Sequence, residues 1–500
     1  MKTWTLGSCL VAVCAACVIE TAAATAPQGR GGANAGPPPG ALLWTEHCAG
    51  CHGTGQSAGR APNLFDAAWL DRVDDARITN TIRNGVPDTE MPAFGASLNE
   101  QQIFFLIQHI RRESAAAHPR PTFVANPDGV VVHSAKQAFR IELVANGLMT
   151  PWALAFLPDG RMLVTERDGR LRVIDHGALS EPVKGTPTAH VQQDGGYLDV
   201  EVHPDYARNR WIYLAYSEDQ PGYDGPPRAP SMTIIVRGRI NERNEWTDQS
   251  IVFRAPPELY TTAGAHYGCR LIFDRQGHLF FTLGERGNPA NAQDLKTPLG
   301  KTHRVNDDGS VPSDNPFVNT PAAVPTIWSY GHRNPEGLAW DPVTGTLWES
   351  EHGPNTGDEI NIIEKGHNYG WPVASKSGQP GVAVSLPGMD DPIVYYTPTF
   401  APAGISFYTG DRYPGWKNTS LFVSGLLGQA LRRLEIKDHT VVSQEVIFDR
   451  FGRVRDIVQS PDGLFYVALQ DPTGVPNPAG GTIPLSASTP GRVVRLVPMQ

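Results

Sequence analysis

The chain has 500 residues, and its formal net charge of −9 at pH 7 is spread without a long run of one sign. Such a distribution provides neither the basic patch that binds nucleic acid nor an acidic tail for a basic partner, so nucleic-acid binding is excluded from the expected functions. A chain of this length is expected to hold about two to four domains.

The N-terminal 26 residues have the pattern of a secretory signal peptide: a lysine, an apolar run, and small residues for cleavage around positions 22–26. This pattern predicts export to the periplasm. An alternative is lipidation at Cys17, which would attach the protein to a membrane. No other segment has the run of about 18 apolar residues that a spanning helix needs.

Residues 47–53 read "HCAGCHG" and predict covalent attachment of a haem. Cys48 and Cys51 would form the two thioethers, and His52 would ligate the iron. Zinc would need two further Cys or His ligands at similar spacing, which are missing here. A redox-active cysteine pair would leave His52 unexplained. Further along, Ser97 and Glu100 have the spacing of a capping box before a helix with apolar residues at helical intervals.

The sixth iron ligand is predicted by elimination to be Met91, since no other methionine lies between the signal peptide and residue 149. Met/His ligation raises the haem potential, as an electron acceptor requires. His109 on the C-terminal helix is the competing ligand, and an ordinary packed or surface methionine remains an alternative role for Met91. Residues 35–115 resemble a class I cytochrome c over their whole length, which implies a small all-α domain with one haem c.

After a predicted irregular linker over residues 116–137, the pattern changes to short alternating strands separated by turns. Segments such as "WALAFLPDGRMLVTE", "RLIFDRQGHLFFTLGE" and "GLAWDPVTGTLWESE" share one strand–turn–strand form, which recurs six times over residues 138–498. This recurrence predicts a mainly β fold, a six-bladed β-propeller. A β-sandwich is the alternative, but its strands would not recur at this period.

Four polar, irregular segments interrupt the repeats, and each lies in a different repeat. Their candidate residues are His266 and Arg270; His332, Arg333 and Asn334; Gly353, Pro354, Asp358, Glu359 and Tyr369; and Arg453 and Arg455. Each set also has an ordinary structural explanation, as a packed histidine, a turn cap, an ion pair or a solvated strand edge. Because blades around one axis bring such loops together, we expect a common site, and two arginines in register suit a ligand with several carboxylates.

With the motifs "GHRNPEGL" and "EHGPNTGDEIN…NYGWP" in order, residues 140–498 resemble the soluble sugar dehydrogenases that use pyrroloquinoline quinone (PQQ), the glucose/sorbosone dehydrogenase family. The resemblance implies PQQ lying over the channel mouth, with Ca²⁺ bridging it to backbone carbonyls. His266 would be the general base, Glu285 would orient it, and Arg333 with Asn334 would stabilise charge on the quinone. The implied Ca²⁺ ligands are Gly353 and Pro354, with Glu359 and Tyr369 at a second, structural calcium; the implied cofactor contacts are Asp194, Arg270, Thr399, Arg453 and Arg455.

The sequence departs from the family pattern at four positions. Asp194 replaces a glutamine, Glu285 an aspartate, Ala265 an acid that some members carry, and Leu427 a lysine that contacts the cofactor. These departures leave the sugar and the cofactor affinity open, and they bear less on the reaction type.

The two modules together predict an enzyme that oxidises an aldose-type sugar at C1 and passes electrons to its own haem and then to a periplasmic acceptor. One alternative is a haem c electron-transfer protein with a non-catalytic, ligand-binding propeller. Another is an enzyme of the same fold that acts on a non-sugar alcohol or a sorbosone-like aldehyde.

Overall fold

A computed structural model describes residues 38–499 apart from 56, 119–120, 380 and 478–480. The predicted signal peptide 1–26 and the lipidation site Cys17 lie outside the described residues. Within the described part of the chain, no helix is both long and apolar enough to cross a membrane.

Among the described residues, the N-terminal module has five α-helices, and a sixth α-helix lies within the propeller. They are α1 Pro39–His47, α2 Ala49–His52, α3 Ala67–Leu70, α4 Asp75–Asn84, α5 Glu100–Ala117 and α6 Tyr206–Asn209. Apolar side chains of α1, α4 and α5 pack into one core around Trp44, Phe65 and Leu106.

Helix α5 begins with a capping box, but the prediction of Ser97 and Glu100 for this box was wrong. The Asn99 side chain accepts a hydrogen bond from the Gln102 backbone N–H, and the Gln102 side chain accepts one from Asn99 N. Ser97 instead donates its hydroxyl to the carbonyl of Phe94 in the preceding turn, 3.2 Å away. Both pairs have the same spacing, so the pattern alone could not choose between them.

Beyond the N-terminal module, nearly all of the regular secondary structure in the described chain is β-strand. The strands are β1 Val131–His133, β2 Ala138–Met149, β3 Pro151–Phe156, β4 Met162–Glu166, β5 Arg170–Asp175, β6 Ala178–Leu179, β7 Tyr197–Val202, β8 Ile212–Asp219, β9 Ser231–Ile240, β10 Trp246–Arg254, β11 Leu271–Phe273, β12 Leu279–Leu283, β13 Lys301–Val305, β14 Ile327–Tyr330, β15 Pro335–Trp340, β16 Leu347–Glu351, β17 Asp358–Ile363, β18 Val394–Tyr396, β19 Pro402–Phe407, β20 Ser420–Gly425, β21 Leu431–Lys437, β22 Thr440–Phe448, β23 Arg453–Gln459, β24 Phe465–Gln470 and β25 Pro490–Pro498. The linker predicted over 116–137 is therefore not irregular throughout, because β1 forms in it by pairing with β2.

The strands form six antiparallel sheets, which confirms the predicted six-bladed propeller. Five blades each use four consecutive strands: β3–β6, β7–β10, β11–β14, β15–β18 and β19–β22. The sixth has the order β23-β24-β25-β2-β1, so the first and last strands of the domain pair with each other and close the ring. The first strands of neighbouring blades pack side by side around the axis.

Ring closure is also secured by side-chain packing. Phe139 on β2 is fully buried, and its ring centroid lies 5.8 Å from that of Trp416, which belongs to the fifth blade and is also fully buried. The closing blade thus shares one apolar core with the blade before it.

Replacing Phe139 by alanine should lower the free energy of unfolding of the propeller by about 3–5 kcal/mol, since it deletes a buried ring and leaves a cavity. The matched control is Leu143→Ala on the same strand, where the side chain is 37 % exposed; a change of about 0.5 kcal/mol or less is expected there. Urea unfolding followed by tryptophan fluorescence measures both, and equal losses would contradict a closing role for Phe139.

Candidate active site and haem attachment site

Loops from all six blades enclose a cavity of about 200 Å³ at one end of the propeller axis. Each blade contributes a residue at or just before the start of its first strand: Trp152, Asp194, Gly268, Asn334, Ala401 and Arg453. The cavity brings together these residues predicted from the sequence: Asp194, His266, Arg333, Asn334, Gly353, Pro354, Thr399, Leu427, Arg453 and Arg455.

His266 is held by a buried carboxylate. Its Nδ1 lies 2.7 Å from Oε1 of Glu285, and Glu285 also accepts a hydrogen bond from the backbone N–H of Gly287. Because an ionised carboxylate carries no proton, Nδ1–H donates and Nε2 keeps its lone pair for a ligand in the cavity. His266 also has the left-handed φ of +56°, which is costly for a residue with a Cβ and is seen mainly where the surroundings enforce it.

The loop that carries His266 is fixed by Arg286, a residue that the sequence analysis did not single out. Its buried guanidinium donates to the carbonyl oxygens of Ala263, at 2.7 Å, and of Ala265. The same guanidinium stacks 3.4 Å from the ring centre of Tyr267, which lines the cavity. Glu285 and Arg286 are thus adjacent in sequence and position the same histidine through different contacts.

At the cavity wall, Asn334 is buried and the neighbouring Arg333 is half-buried. Nη1 of Arg333 lies 2.9 Å from the carbonyl oxygens of His352 and Gly353. Asn334 donates through Nδ2 to Glu336 at 3.0 Å and accepts from the Gly268 N–H at 3.0 Å. Burial lowers the pKa of Arg333.

The neighbouring His332 has a structural position instead. It is fully buried, with Nδ1 2.9 Å from Glu349 and 3.0 Å from Glu351. Burial alone would lower the pKa of His332, but these two carboxylates outweigh burial and raise it to about 10. The imidazolium therefore balances their charge.

Arginines dominate the charge of the cavity. Arg167, Arg333, Arg453 and Arg455 line it together with only two carboxylates of the described chain, Asp194 and Glu336. Burial first, and then repulsion from Arg453 and Arg167, lowers the pKa of Arg455 to about 9. Arginine side chains keep their charge in proteins, and an anion with several carboxylates would relieve the repulsion among these four guanidinium groups.

Arg167 was missed because it follows a regular strand, yet the repeats contain a signal for it. In three blades an acid followed by a basic residue stands at or just after the end of the second strand: Glu166-Arg167, Glu285-Arg286 and Glu351-His352. Aligning the repeats at these pairs would have placed Arg167 at the same edge of the propeller as the candidate site.

Arg270, predicted to contact the cofactor, is not among the residues that line the cavity. Its Nη1 lies 3.0 Å from Asp199 and 3.3 Å from Asp456, and Nε donates to the carbonyl of Glu336 at 3.0 Å. The guanidinium lies 4.8 Å from the ring centre of Trp152, a lining residue. The two buried carboxylates hold Arg270 against the back of this wall, where it supports Trp152.

A second, much smaller cavity of about 10 Å³ adjoins the first and is lined by Glu351, Glu359 and Tyr369, with Gly353 shared between the two. Burial, followed by repulsion from Glu351, raises the pKa of Glu359 to about 8. Two buried carboxylates facing a space the size of one atom suit a divalent cation with oxygen ligands. The hydroxyl of Tyr369 donates to the carbonyl of Ile362 at 2.6 Å, so a ligand atom from Tyr369 would be its backbone oxygen.

Asp358 holds together chain segments that line the two cavities. Its carboxylate accepts hydrogen bonds from the backbone N–H of Gly353 at 2.8 Å, the hydroxyl of Thr399 at 2.7 Å and the N–H of Ala401 at 2.7 Å. One buried acid therefore fixes the segment of predicted metal ligands and the segment of predicted cofactor contacts together.

In the helical module, the haem motif spans the junction of α1 and α2. Nδ1 of His52 donates to the carbonyl of Pro62 at 2.8 Å, which leaves Nε2 available to a metal, as in other histidine ligands held by a backbone partner. Cys48 and Cys51 do not form a disulfide with each other. Burial raises the pKa of Cys48 to about 11, so the site favours an uncharged sulfur such as a thioether.

The two candidates for the sixth ligand have different surroundings. Met91 lies on the loop after α4, where its carbonyl accepts a hydrogen bond from Val86 N at 3.2 Å. His109 packs in the core, with ring centroids 5.8 Å from Trp44 and 6.1 Å from Phe65. Burial lowers the pKa of His109.

Comparison with known proteins agrees with both modules. Residues 148–475 match the family described as glucose/sorbosone dehydrogenase, and residues 35–110 match the family described as cytochrome c oxidase, cbb3-type, subunit III. The aldose sugar dehydrogenase YliI of Escherichia coli strain K12 is 39% identical over 352 residues, covering 68% of this chain and 92% of that protein.

Solved structures give the same result. The soluble aldose sugar dehydrogenase of Escherichia coli in its apo form has a TM-score of 0.64 at 37% identity, covering 72% of this chain and 100% of that one. The PQQ-bound form of an aldose sugar dehydrogenase from Streptomyces coelicolor has a TM-score of 0.58 at 27% identity, covering 75% and 100%. The chain belongs to the glucose/sorbosone dehydrogenase family and carries, ahead of its propeller, a cytochrome c domain of the cbb3 type.

Proposed function

We propose that this protein is a periplasmic, PQQ-dependent dehydrogenase that oxidises an aldose-type sugar at C1 and passes the electrons through its own haem c to a periplasmic acceptor. One observation carries the proposal: the pair His266–Glu285 opens into the same cavity as four arginines. A base and a strongly cationic wall are what oxidation of a hydroxyl by an anionic quinone requires. The PQQ bound to the Streptomyces relative supports the same choice of cofactor.

The residues of the cavity fit PQQ, whose carboxylates would be bound by Arg453 and Arg455 with Thr399 beside them. Leu427, which stands where the family has a lysine, lowers the positive charge of this wall by one. Arg167 also lines the cavity and is close enough to Arg455 to repel it. Its positive charge keeps the cavity strongly cationic without the lysine. When bound, PQQ supplies the quinone that accepts a hydride.

The protein's own groups provide the base and the charge stabilisation. Nε2 of His266 would accept the proton of the C1 hydroxyl, and Glu285 would stabilise the imidazolium that results. The guanidinium of Arg333, held by two carbonyl oxygens, would stabilise negative charge that develops on the ligand. Apolar side chains of Trp152, Leu426 and Leu427 line the same space and exclude water, which strengthens these interactions.

The backbone oxygens of Gly353 and Pro354 would hold a calcium ion next to the cofactor, and Glu359 would hold a second one in the small cavity. The carbonyl of Gly353 accepts a hydrogen bond from Arg333, and its second lone pair is available to a metal ion. The buried carboxylates Glu351 and Glu359 provide the hard oxygen ligands that calcium prefers.

The proposal predicts that sugar reduces the haem of the protein produced with PQQ and Ca²⁺. A panel of aldoses, simple alcohols and sorbosone-like aldehydes would be mixed with the oxidised protein while the haem absorption is followed. His266→Ala should lower the rate about 10²–10⁴-fold, as expected for loss of a general base. The matched control is His176→Ala, whose side chain is 93% exposed and whose loss should leave the rate unchanged.

The outcome separates the alternatives. Haem reduction by alcohols or aldehydes but by no aldose would assign a different substrate to the same site. Failure of the protein to bind PQQ would overturn the proposal and favour a ligand-binding propeller.

Removal of calcium should destabilise the propeller. Ca²⁺ at about a hundredfold excess over its Kd stabilises a folded protein by about 2.7 kcal/mol, so addition of a chelator should lower the melting temperature of the wild type. Glu359→Gln should make the chelator-induced drop in melting temperature smaller, because only the ion at Gly353 and Pro354 is then left to remove. Glu364→Gln, at an exposed neighbouring position, should show the full drop of the wild type. Equal chelator sensitivity in all three proteins would place the ion elsewhere.

Replacement of Met91 by alanine should lower the haem reduction potential and change the visible spectrum, since a thioether ligand raises the potential. His109→Ala should leave both unchanged, because His109 is proposed only to pack against Trp44 and Phe65. Potentiometric titration of the two variants decides between the ligands, and a drop in potential for His109→Ala alone would assign the iron to His109.

A further inference from the structure

The cytochrome domain contacts the propeller through a small, specific patch, which we call the docking patch: Asp71, Phe104 and Gln108 of the cytochrome domain with Thr356, Ser377, Gly378, Tyr395 and Arg432 of the propeller. The propeller residues belong to the fourth and fifth blades. They lie on strands and loops at the same edge as the cavity.

The apolar part of the patch is formed by two aromatic rings. Phe104 of α5 and Tyr395 of β18 are 2% and 9% exposed, and their ring centroids are 5.8 Å apart. Gly378 lies against the same helix at a φ of +65°, and a Cβ there would lie 2.8 Å from the Phe104 ring and 2.7 Å from Gln108 Nε2. The glycine is therefore needed for the close approach of the two domains.

The polar part of the patch is a buried amide. Gln108 is 5% exposed, and its Nε2 lies 3.4 Å from the Thr356 hydroxyl and 3.4 Å from the Ser377 carbonyl. Thr356 in turn lies 2.6 Å from the hydroxyl of Thr397. The Nε2 group of Gln108 meets these two propeller oxygens in only one relative position of the domains. It would lose both hydrogen bonds if the helix moved.

The ionic part of the patch joins Asp71 to Arg432 at 2.9 Å. Arg432 also stacks on Phe400, 5.4 Å from its ring centre. The loop that carries Asp71 is fixed by Arg111, which donates to the carbonyl of Leu70 at 2.6 Å and to the carboxylate of Asp75 at 2.7 Å. Both partners of the ion pair are thus held in place by their own domains.

The docking patch lies on the outer side of two segments that line the cavity. Thr356 follows Gly353 and Pro354 in one loop, and Phe400 lies between Thr399 and Ala401 in the other. The first segment therefore meets both the candidate cofactor site and the cytochrome domain, and the second is linked to that domain through Arg432, which stacks on Phe400 and pairs with Asp71.

We propose that the docking patch holds the cytochrome domain in one fixed position on the cavity rim, and that electrons reach the haem in this position without release of the domain between turnovers. The inference rests on the proposed function. Oxidation of one sugar to its lactone releases two electrons and two protons. The electrons reduce Fe(III) to Fe(II) in two successive steps, the protons leave to solvent, and an external one-electron acceptor reoxidises the iron after each step.

Charge reversal tests the patch in the full-length protein. Asp71→Arg or Arg432→Asp alone sets like charges against each other and should slow sugar-driven haem reduction roughly tenfold. The double exchange should restore the rate, which also shows that the single variants fold. Asp411→Arg reverses an exposed carboxylate that pairs with Lys417 on the propeller, and it should have no effect.

Two further readouts separate this inference from the proposed function. Direct reduction of the dye dichlorophenolindophenol by the cavity should be equal in all variants. Hydrogen–deuterium exchange needs neither sugar nor cofactor, and α5 and residues 372–378 should be protected in the wild type and the double exchange but exposed in the single variants.

Unchanged exchange and unchanged haem reduction in both single variants would overturn the docked position. A haem reduction rate per molecule that rises with protein concentration would also overturn it, since electrons would then arrive from other molecules. If no substrate is oxidised at all, the proposed function fails while the exchange experiment still decides whether the domain is docked.

Discussion

The antiparallel pairing of β2 with β25 is the constraint on which the rest of the molecule depends. It joins the two ends of the propeller sequence in one blade, so the ring closes and every blade packs between two neighbours. Closure also fixes where each first strand begins. Because all six of these starts face one end of the axis, residues as distant in sequence as Asp194 and Arg455 line a single cavity.

The site is then built by repeating one arrangement, a buried acid at or just after the end of a second strand. Glu166, Glu285 and Glu351 each accept hydrogen bonds from the chain that follows or faces them. Of these three glutamates, only Glu285 forms a hydrogen bond with a histidine that lines the cavity. Glu285 is therefore a candidate positioning residue, whereas the other two glutamates are structural. A carboxylate at this depth is stable only with several partners, and the partners decide its role.

The sequence was sufficient for the fold and for most of the residues that meet in the cavity. Repeated strand–turn–strand segments predicted six blades, and polar interruptions of those repeats located His266, Arg333 and Arg455. Arg167 was missed because it follows a regular strand, and Arg270 was placed in the cavity although Asp199 and Asp456 hold it behind the wall. Both errors have one physical cause. The partner that neutralises a buried charge is set by contacts between blades, and local sequence patterns do not contain these contacts. The same holds for β1, whose pairing partner lies outside the predicted linker.

Fusing two redox domains and docking them are separate contributions to electron transfer. A flexible linker alone would keep the cytochrome domain at an effective concentration of roughly millimolar near the propeller. The linker here is partly ordered: Val124 N donates to the Arg450 carbonyl at 2.8 Å, and Arg492 contacts both Ala125 and the ring of Phe123. Anchoring part of the linker on the closing blade restricts the positions that the cytochrome domain can reach. The Asp71–Arg432 pair is partly exposed and contributes little attraction by itself, although two like charges at this place would oppose docking. Separation of the domains would expose Phe104 and Tyr395 and break the contacts of Gln108. Affinity of the docked position therefore comes from the aromatic contact, and its orientation from the amide and the ion pair.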